Sequence, residues 1–225
     1  MSRNIQFQND YYYHICNRGV DKRDVFMDEY DYVRFLRCLR EFNQIKATGG
    51  LYRLYFEQKK EMLDLRNPTP YRESDSEASA KLVTIICYCL NSNHFHLLIQ
   101  QKKEKGTSDF IKKLLGGYSR YFNNKYKRSG ALWQGKYVVR EIKSTYDLLK
   151  LSIYVNCNAE IHGIAKKENW PWSSYLDYVN LRNGSLCNKA EILENFNNIK
   201  EYKIFCEELI LEIRENKNLA KWDLE

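Results

Sequence analysis

The clearest chemistry in the sequence lies in four residues, Asn93-His94-Phe95-His96. They open an apolar run reaching Ile99, which follows a β-branched run from Leu82 to Leu90 across the polar link Asn91-Ser92-Asn93. That pattern predicts two strands joined by a short turn. Residues two apart in a strand share a face. His94 and His96 therefore point the same way, about 6–7 Å apart along the chain, and Phe95 points to the other face. Two neutral imidazoles converging from a sheet suit a divalent metal. A pair of satisfied histidines beside the core gives the same pattern, and spacing alone does not separate the two.

A second pair stands further on. Ser144-Thr145-Tyr146-Asp147 resembles a capping box, and the spacing predicts a helix from there to about His162-Gly163. Tyr154 and Asn158 lie four apart in it, on one face and about 6 Å apart along the axis. Asn158 can lend a carbonyl oxygen to a metal, and Tyr154 can present a hydroxyl. A phenol with a pKa near 10 is a weak nucleophile until a metal-polarised phosphorus awaits it. The chain holds 18 tyrosines, so a packing tyrosine fits this spacing equally well.

The elements that must position these residues read in the order β-α-(insert)-β-β-α-β-α. Tyr11-Tyr12-Tyr13-His14-Ile15-Cys16-Asn17 is a first strand, stopped by Asn17-Arg18-Gly19, and His14 is read as one of its sheet residues. Asp28 caps a helix running to about Ile45. Residues 49–80, polar and holding Pro68 and Pro70, read as an insertion or loop with a short strand over 51–56. A helix from Thr107 to about Lys125 follows; its Gly116-Gly117 pair reads as a packing contact, with close approach of another backbone, such as nucleic acid, as the alternative. Residues 131–142 read as a strand. Trp170-Pro171-Trp172-Ser173-Ser174-Tyr175 forms an aromatic segment, and 188–216 reads as one or two amphipathic helices. Hairpin-linked strands among helices give the α+β class, an antiparallel sheet backed by helices. The expected division is a catalytic domain over 1–180 and a helical acidic tail over 181–225.

Net charge is +7, unevenly spread. Between Lys102 and Lys143 stand 12 basic residues against three acidic ones, interleaved with Phe110, Tyr118, Tyr121, Phe122, Tyr126, Trp133 and Tyr137. Cations among aromatics suit a phosphate backbone with unstacked bases, and Lys112, Lys113, Arg120, Lys125, Lys127, Arg128, Lys136 and Arg140 are the candidate DNA contacts. A solvated basic face over core aromatics is the alternative. No apolar run is long enough to span a membrane, the start lacks a signal-peptide core, and seven cysteines without Cys-x-x-Cys pairing read as reduced thiols. A cytoplasmic protein is expected.

Asn93-His94-Phe95-His96-Leu97-Leu98 resembles the His-hydrophobic-His motif of single-tyrosine HUH transposases, in particular the REP-associated tyrosine transposases. The resemblance begins at Tyr13-His14-Ile15-Cys16-Asn17-Arg18-Gly19. It continues through Tyr118-Ser119-Arg120-Tyr121-Phe122-Asn123, Ser129-Gly130-Ala131-Leu132-Trp133-Gln134-Gly135-Lys136 and Leu151-Ser152-Ile153-Tyr154-Val155-Asn156-Cys157-Asn158, and closes at Trp170-Pro171-Trp172-Ser173-Ser174-Tyr175. It implies a ferredoxin-like domain in which His94, His96 and Asn158 hold a metal and Tyr154 is the nucleophile. It further implies cleavage and rejoining of single-stranded or hairpin DNA through a covalent 5′-phosphotyrosine, by a monomer or homodimer. Ala159 stands where the family usually has proline, and Asn91-Ser92 where it usually has Met-Pro. A nitrogen and oxygen ligand set without thiolate points to Mg²⁺ or Mn²⁺. A domesticated DNA-binding protein on the same fold is the alternative. A histidine-triad hydrolase is set aside because position 98 is Leu98, and an RNA-binding module leaves His94, His96 and Asn158 without a role.

Overall fold

Four strands, β1 (Tyr12–Arg18), β2 (Val83–Asn91), β3 (His94–Gln101) and β4 (Val138–Ile142), form one antiparallel sheet in the order β2-β3-β1-β4. They come from a computed structural model that describes residues 5–45 and 81–215. Helix α1 (Glu29–Glu41) lies between β1 and β2, and α2 (Gly106–Lys125) between β3 and β4. After β4 come α3 (Thr145–Asn156), α4 (Asn158–Ile161), α5 (Tyr175–Tyr178), α6 (Ala190–Leu193) and α7 (Ile199–Glu215). This is the expected α+β, ferredoxin-like sheet backed by helices. The insertion over 49–80 and its strand over 51–56 lie outside the described residues.

Period-two alternation gives the sheet two unlike faces. Tyr13, Ile15, Phe95, Leu97 and Ile99 face one way and bury against Phe35, Leu36 and Leu39 of α1 and Phe110, Leu114 and Tyr118 of α2. Each such side chain contributes about 1.5–3 kcal/mol on burial. The other face meets α3 and α7, where Cys89 and Leu98 share a core with Leu151, Tyr154, Val155, Tyr202 and Leu209. One extra residue in β2 shifts its register: Ile85 pairs with Ile99, but Cys87 pairs with Leu98. From the bulge onward Cys87, Cys89 and Asn91 face the histidine side, and Tyr88 and Leu90 face α1 and α2.

The aromatic segment after α4 closes the outer edge of β2, which would otherwise offer unpaired backbone groups. Leu90 N–H donates to the Trp172 carbonyl at 2.9 Å, and Ser174 N–H to that of Tyr88 at 3.0 Å. Trp172 stacks on Tyr32 with ring centroids 4.5 Å apart. Buried Arg182 locks the segment, pairing with Asp177 at 2.7 Å and donating to the Pro171 and Ser173 carbonyls at 2.6 Å.

Three boundaries differ from expectation. Helix α1 stops at Glu41 because Asn43 leaves it to pair both of its amide groups with the backbone of Val83. The strand expected over 131–142 is confined to Val138–Ile142, since Gly135 turns the chain at φ +69°. The late helix is interrupted at Cys157 (φ −101°, ψ 9°), which puts Tyr154 in α3 and Asn158 in α4. At Gly117 a side chain would meet the ring of Phe42 at 2.4 Å, so this glycine serves the packing of α2 as expected. Helix α7 of the tail is built into the second layer: Tyr202 and Leu209 are buried there, and Glu212 pairs with Lys150 at 3.0 Å.

Asp177→Ala would leave the Arg182 guanidinium buried without its carboxylate, a loss on the order of 3–5 kcal/mol. Urea denaturation should show it, with exposed Val138→Thr changing stability by less than about 0.5 kcal/mol. A loss under about 1 kcal/mol for Asp177→Ala would refute this account of the lock.

Candidate functional site

Register lays the polar face of the sheet out in three rows. Asn91, His94 and Arg18 stand side by side across β2, β3 and β1. In the next row are Cys89, His96, Cys16 and Val138, and in the third Cys87, Leu98, His14 and Arg140. His94 and His96 thus share a face, as their spacing predicts, with ring centroids 5.1 Å apart. His14 is more than a sheet residue: its Nε2 lies 3.0 Å from His96 Nδ1, and the two rings stack. Helix α3 lies over these rows. The Tyr154 ring stands 5.6 Å from that of His96 and 6.4 Å from that of His14, all within one chain.

Asn91 ties the first row to α4. Its Nδ2 donates to Asn158 Oδ1 at 2.6 Å and lies 2.9 Å from His94 Nε2. His94 Nδ1 lies 2.5 Å from Asn93 Oδ1, an atom that can only accept, so Nδ1 carries the proton and the Nε2 lone pair faces Asn91. One amide nitrogen therefore meets lone pairs from both His94 and Asn158. Among the described residues, two buried nitrogens here lack a hydrogen-bond partner, Arg18 Nε and Asn158 Nδ2. Unsatisfied donors of this kind are costly, and they concentrate where a ligand completes the site.

The electrostatics favour uncharged imidazoles. Burial, with Arg140 adding to it, pulls His14 down to about 4. His96 is pushed well below the usual histidine range by burial first, then by His94, His14, His162 and Arg18. Both rings are neutral at pH 7 and keep a lone pair for a cation or a proton. Cys16 joins them: a donor atom from each of His14, Cys16 and His96 lies within 4.8 Å of the other two. His162, exposed, has its ring 6.5 Å from that of Tyr154.

Most of the expected DNA contacts lie elsewhere. Helix α2 covers the opposite face of the sheet, and its Phe110, Tyr118 and Phe122 are core residues, closed to stacking with bases. Lys125 is held at 2.7 Å by Asp28 and Asp31. Lys113 donates to the Gln44 carbonyl at 3.2 Å, and Arg128 to Asn123 at 3.1 Å. Lys112, Arg120, Lys127 and Lys136 are exposed. Of the eight, only Arg140 stands in a histidine row, beside His14, and Arg18 stands in another, beside His94.

Residues 71–158 match the model of the IS200-like transposases. Both histidines, Tyr154 and Asn158 fall within that match. No curated protein matches the sequence. Among solved structures, the fold is similar to that of a REP-associated tyrosine transposase solved bound to a REP hairpin. The TM-score is 0.51 and the identity 12%, over 80% of this chain and 85% of the other. His14, Cys16 and Arg18 lie upstream of the matched segment and join it through the pairing of β1 with β3 and β4. They share one parity along β1, the sequence signal that could have grouped them.

Asn91→Leu removes the donor shared by His94 and Asn158, and thermal unfolding should register a loss of about 1–3 kcal/mol. Acid should weaken the fold as well. An unfolded histidine titrates near 6.5 and folded His14 near 4, so its contribution is complete above about pH 6.5 and is lost as pH falls toward 4. For His14 that is on the order of 3 kcal/mol, with His96 acting in the same direction. Urea unfolding between pH 7.5 and 4.5 should show a shallower fall for His14→Gln. Equal slopes would mean that His14 is not held neutral.

Proposed function

We propose that this chain is a metal-dependent single-strand DNA endonuclease and strand transferase, transposase-like, acting on hairpin-forming DNA with Tyr154 as nucleophile. The observation that carries the reading is Tyr154 seated over neutral His96 and His14 in its own chain. The family segment and the REP-bound relative support DNA as the partner.

His94, His96 and Asn158 would hold the ion, Mg²⁺ or Mn²⁺. Lone pairs of His94 Nε2 and Asn158 Oδ1 meet at the Asn91 amide nitrogen, which supports a shared cation position between them. When bound, such an ion supplies Lewis acidity and a fixed point for phosphate oxygens. The Tyr154 hydroxyl attacks phosphorus and the bond from phosphorus to the 3′ oxygen breaks. The phenolic proton passes to a neutral imidazole, and the departing 3′ oxygen takes one up. The product is a 5′-phosphotyrosine and a free 3′-hydroxyl, and the reverse step rejoins the strand without water. Arg18, opposite His94 with its Nε buried and unpartnered, suits a non-bridging phosphate oxygen. Tyr154 is 1% exposed, so DNA reaches it only when the α3–α4 layer shifts.

Incubation with labelled hairpin DNA and Mn²⁺ should give one adduct per chain, located at Tyr154 by mass spectrometry. Tyr154→Phe should still bind DNA but form no adduct. Arg18→Gln should slow adduct formation on the order of 100-fold or more, with DNA affinity changed far less. An adduct surviving Tyr154→Phe would overturn the nucleophile. Binding without any adduct in the unaltered chain would favour the DNA-binding reading.

A further inference from the structure

We propose a second metal position, formed by His14, Cys16 and His96, that takes a thiophilic d-block cation such as Zn²⁺. Mg²⁺ and Mn²⁺ prefer oxygen-rich sets, whereas a thiol with two imidazoles is a zinc-type donor set. The spacing is close to what the ion needs. Bonds of about 2.0–2.3 Å in tetrahedral geometry put donors roughly 3.3–3.6 Å apart. Here the facing nitrogens of His14 and His96 are 3.0 Å apart, and all three donors fall within 4.8 Å. Movements of about 1 Å or less complete the three-ligand set. The three side chains project from two paired strands, so the sheet holds them in place before any ion arrives.

The proton balance is explicit. Cys16 gives up its thiol proton to solvent on binding. The single proton shared between His14 Nε2 and His96 Nδ1 must also leave that position, and the ring that carries it adopts its other tautomer. Arg18 and Arg140, the cations on this face, oppose a dication and favour the thiolate. One thiolate leaves the bound site with a charge of +1.

His96 is common to this position and to the site proposed above, and this part rests on that reading. With Zn²⁺ on Nδ1, neutral His96 keeps its proton on Nε2, the nitrogen left to serve His94 and Asn158. The two positions therefore exclude each other, and a thiophilic ion switches the nuclease off.

Co²⁺ added to the full chain serves as the spectroscopic probe and needs no DNA. The expected result is a sulfur-to-cobalt charge-transfer band saturating at one equivalent and bleached by Zn²⁺, which binds such sites more tightly. Cys16→Ser should abolish the band, and His14→Gln should weaken Zn²⁺ binding about tenfold or more. Cys89→Ser, across β3 from Cys16, and half-buried Cys187→Ser should retain it. If Cys16→Ser does not fold, His14→Gln decides. Absence of the band in the unaltered chain, its survival in Cys16→Ser, its loss in Cys89→Ser, or unchanged affinity in His14→Gln would each overturn the site. One equivalent of Zn²⁺ should also suppress the Mn²⁺-supported adduct at Tyr154. Adduct formation undiminished with Zn²⁺ bound would overturn the exclusion while leaving the nuclease reading standing.

Discussion

Everything at the polar face depends on β3 being gripped along both edges. Paired with β2 on one side and β1 on the other, it cannot slip by one residue without sending Phe95 into the polar layer and both histidines into the core. Phe95 packs on Phe35 and Trp133, which makes such a slip costly. The same register decides the neighbours, placing Arg18 and Asn91 beside His94, and Cys16 and Cys89 beside His96. Hydrophobic burial on one face thereby sets the chemistry of the other.

The two faces also differ in how they carry positive charge. Basic residues of α2 look in sequence like a nucleic-acid arm, yet the helix lies on the far side of the sheet, with Phe110, Tyr118 and Phe122 buried and Lys125 paired with Asp28 and Asp31. Positive charge at the histidines comes instead from Arg18 and Arg140, one per strand, where no run of charge announces it. Two fixed donors backed by a rigid sheet are held more precisely than a row of exposed lysines.

Much of this was legible in the sequence. Period-two spacing put His94 and His96 on one face, capping chemistry located α1 and α3, and the element order gave the fold class. Non-local pairing was beyond that reading: His14, Cys16 and Arg18 enter the site only because β1, some 80 residues upstream, lies against β3. Local geometry set the other limits. Helical periodicity continued through Cys157 although the backbone does not, and the strand expected from residue 131 yields to a left-handed turn at Gly135. Asn91 read as the start of a turn, and its amide proved to be the link between His94 and Asn158.

The single extra residue in β2 has a consequence for how this sheet tolerates change in length. Because the bulge inverts the alternation from Cys87 onward, it is the reason an amide, and not Leu90, stands next to His94. Removing Ile86 would straighten the strand and leave every pair from Cys87–Leu98 to Asn91–His94 as it is, because the bulged residue has no partner of its own. The damaging change is the opposite one, a regular ladder in a chain of unchanged length. Leu90 would then stand opposite His94, and Cys89 opposite Phe95. The bulge thus acts as a spare residue: the strand can lose it without disturbing either layer, but cannot pair it without exchanging both.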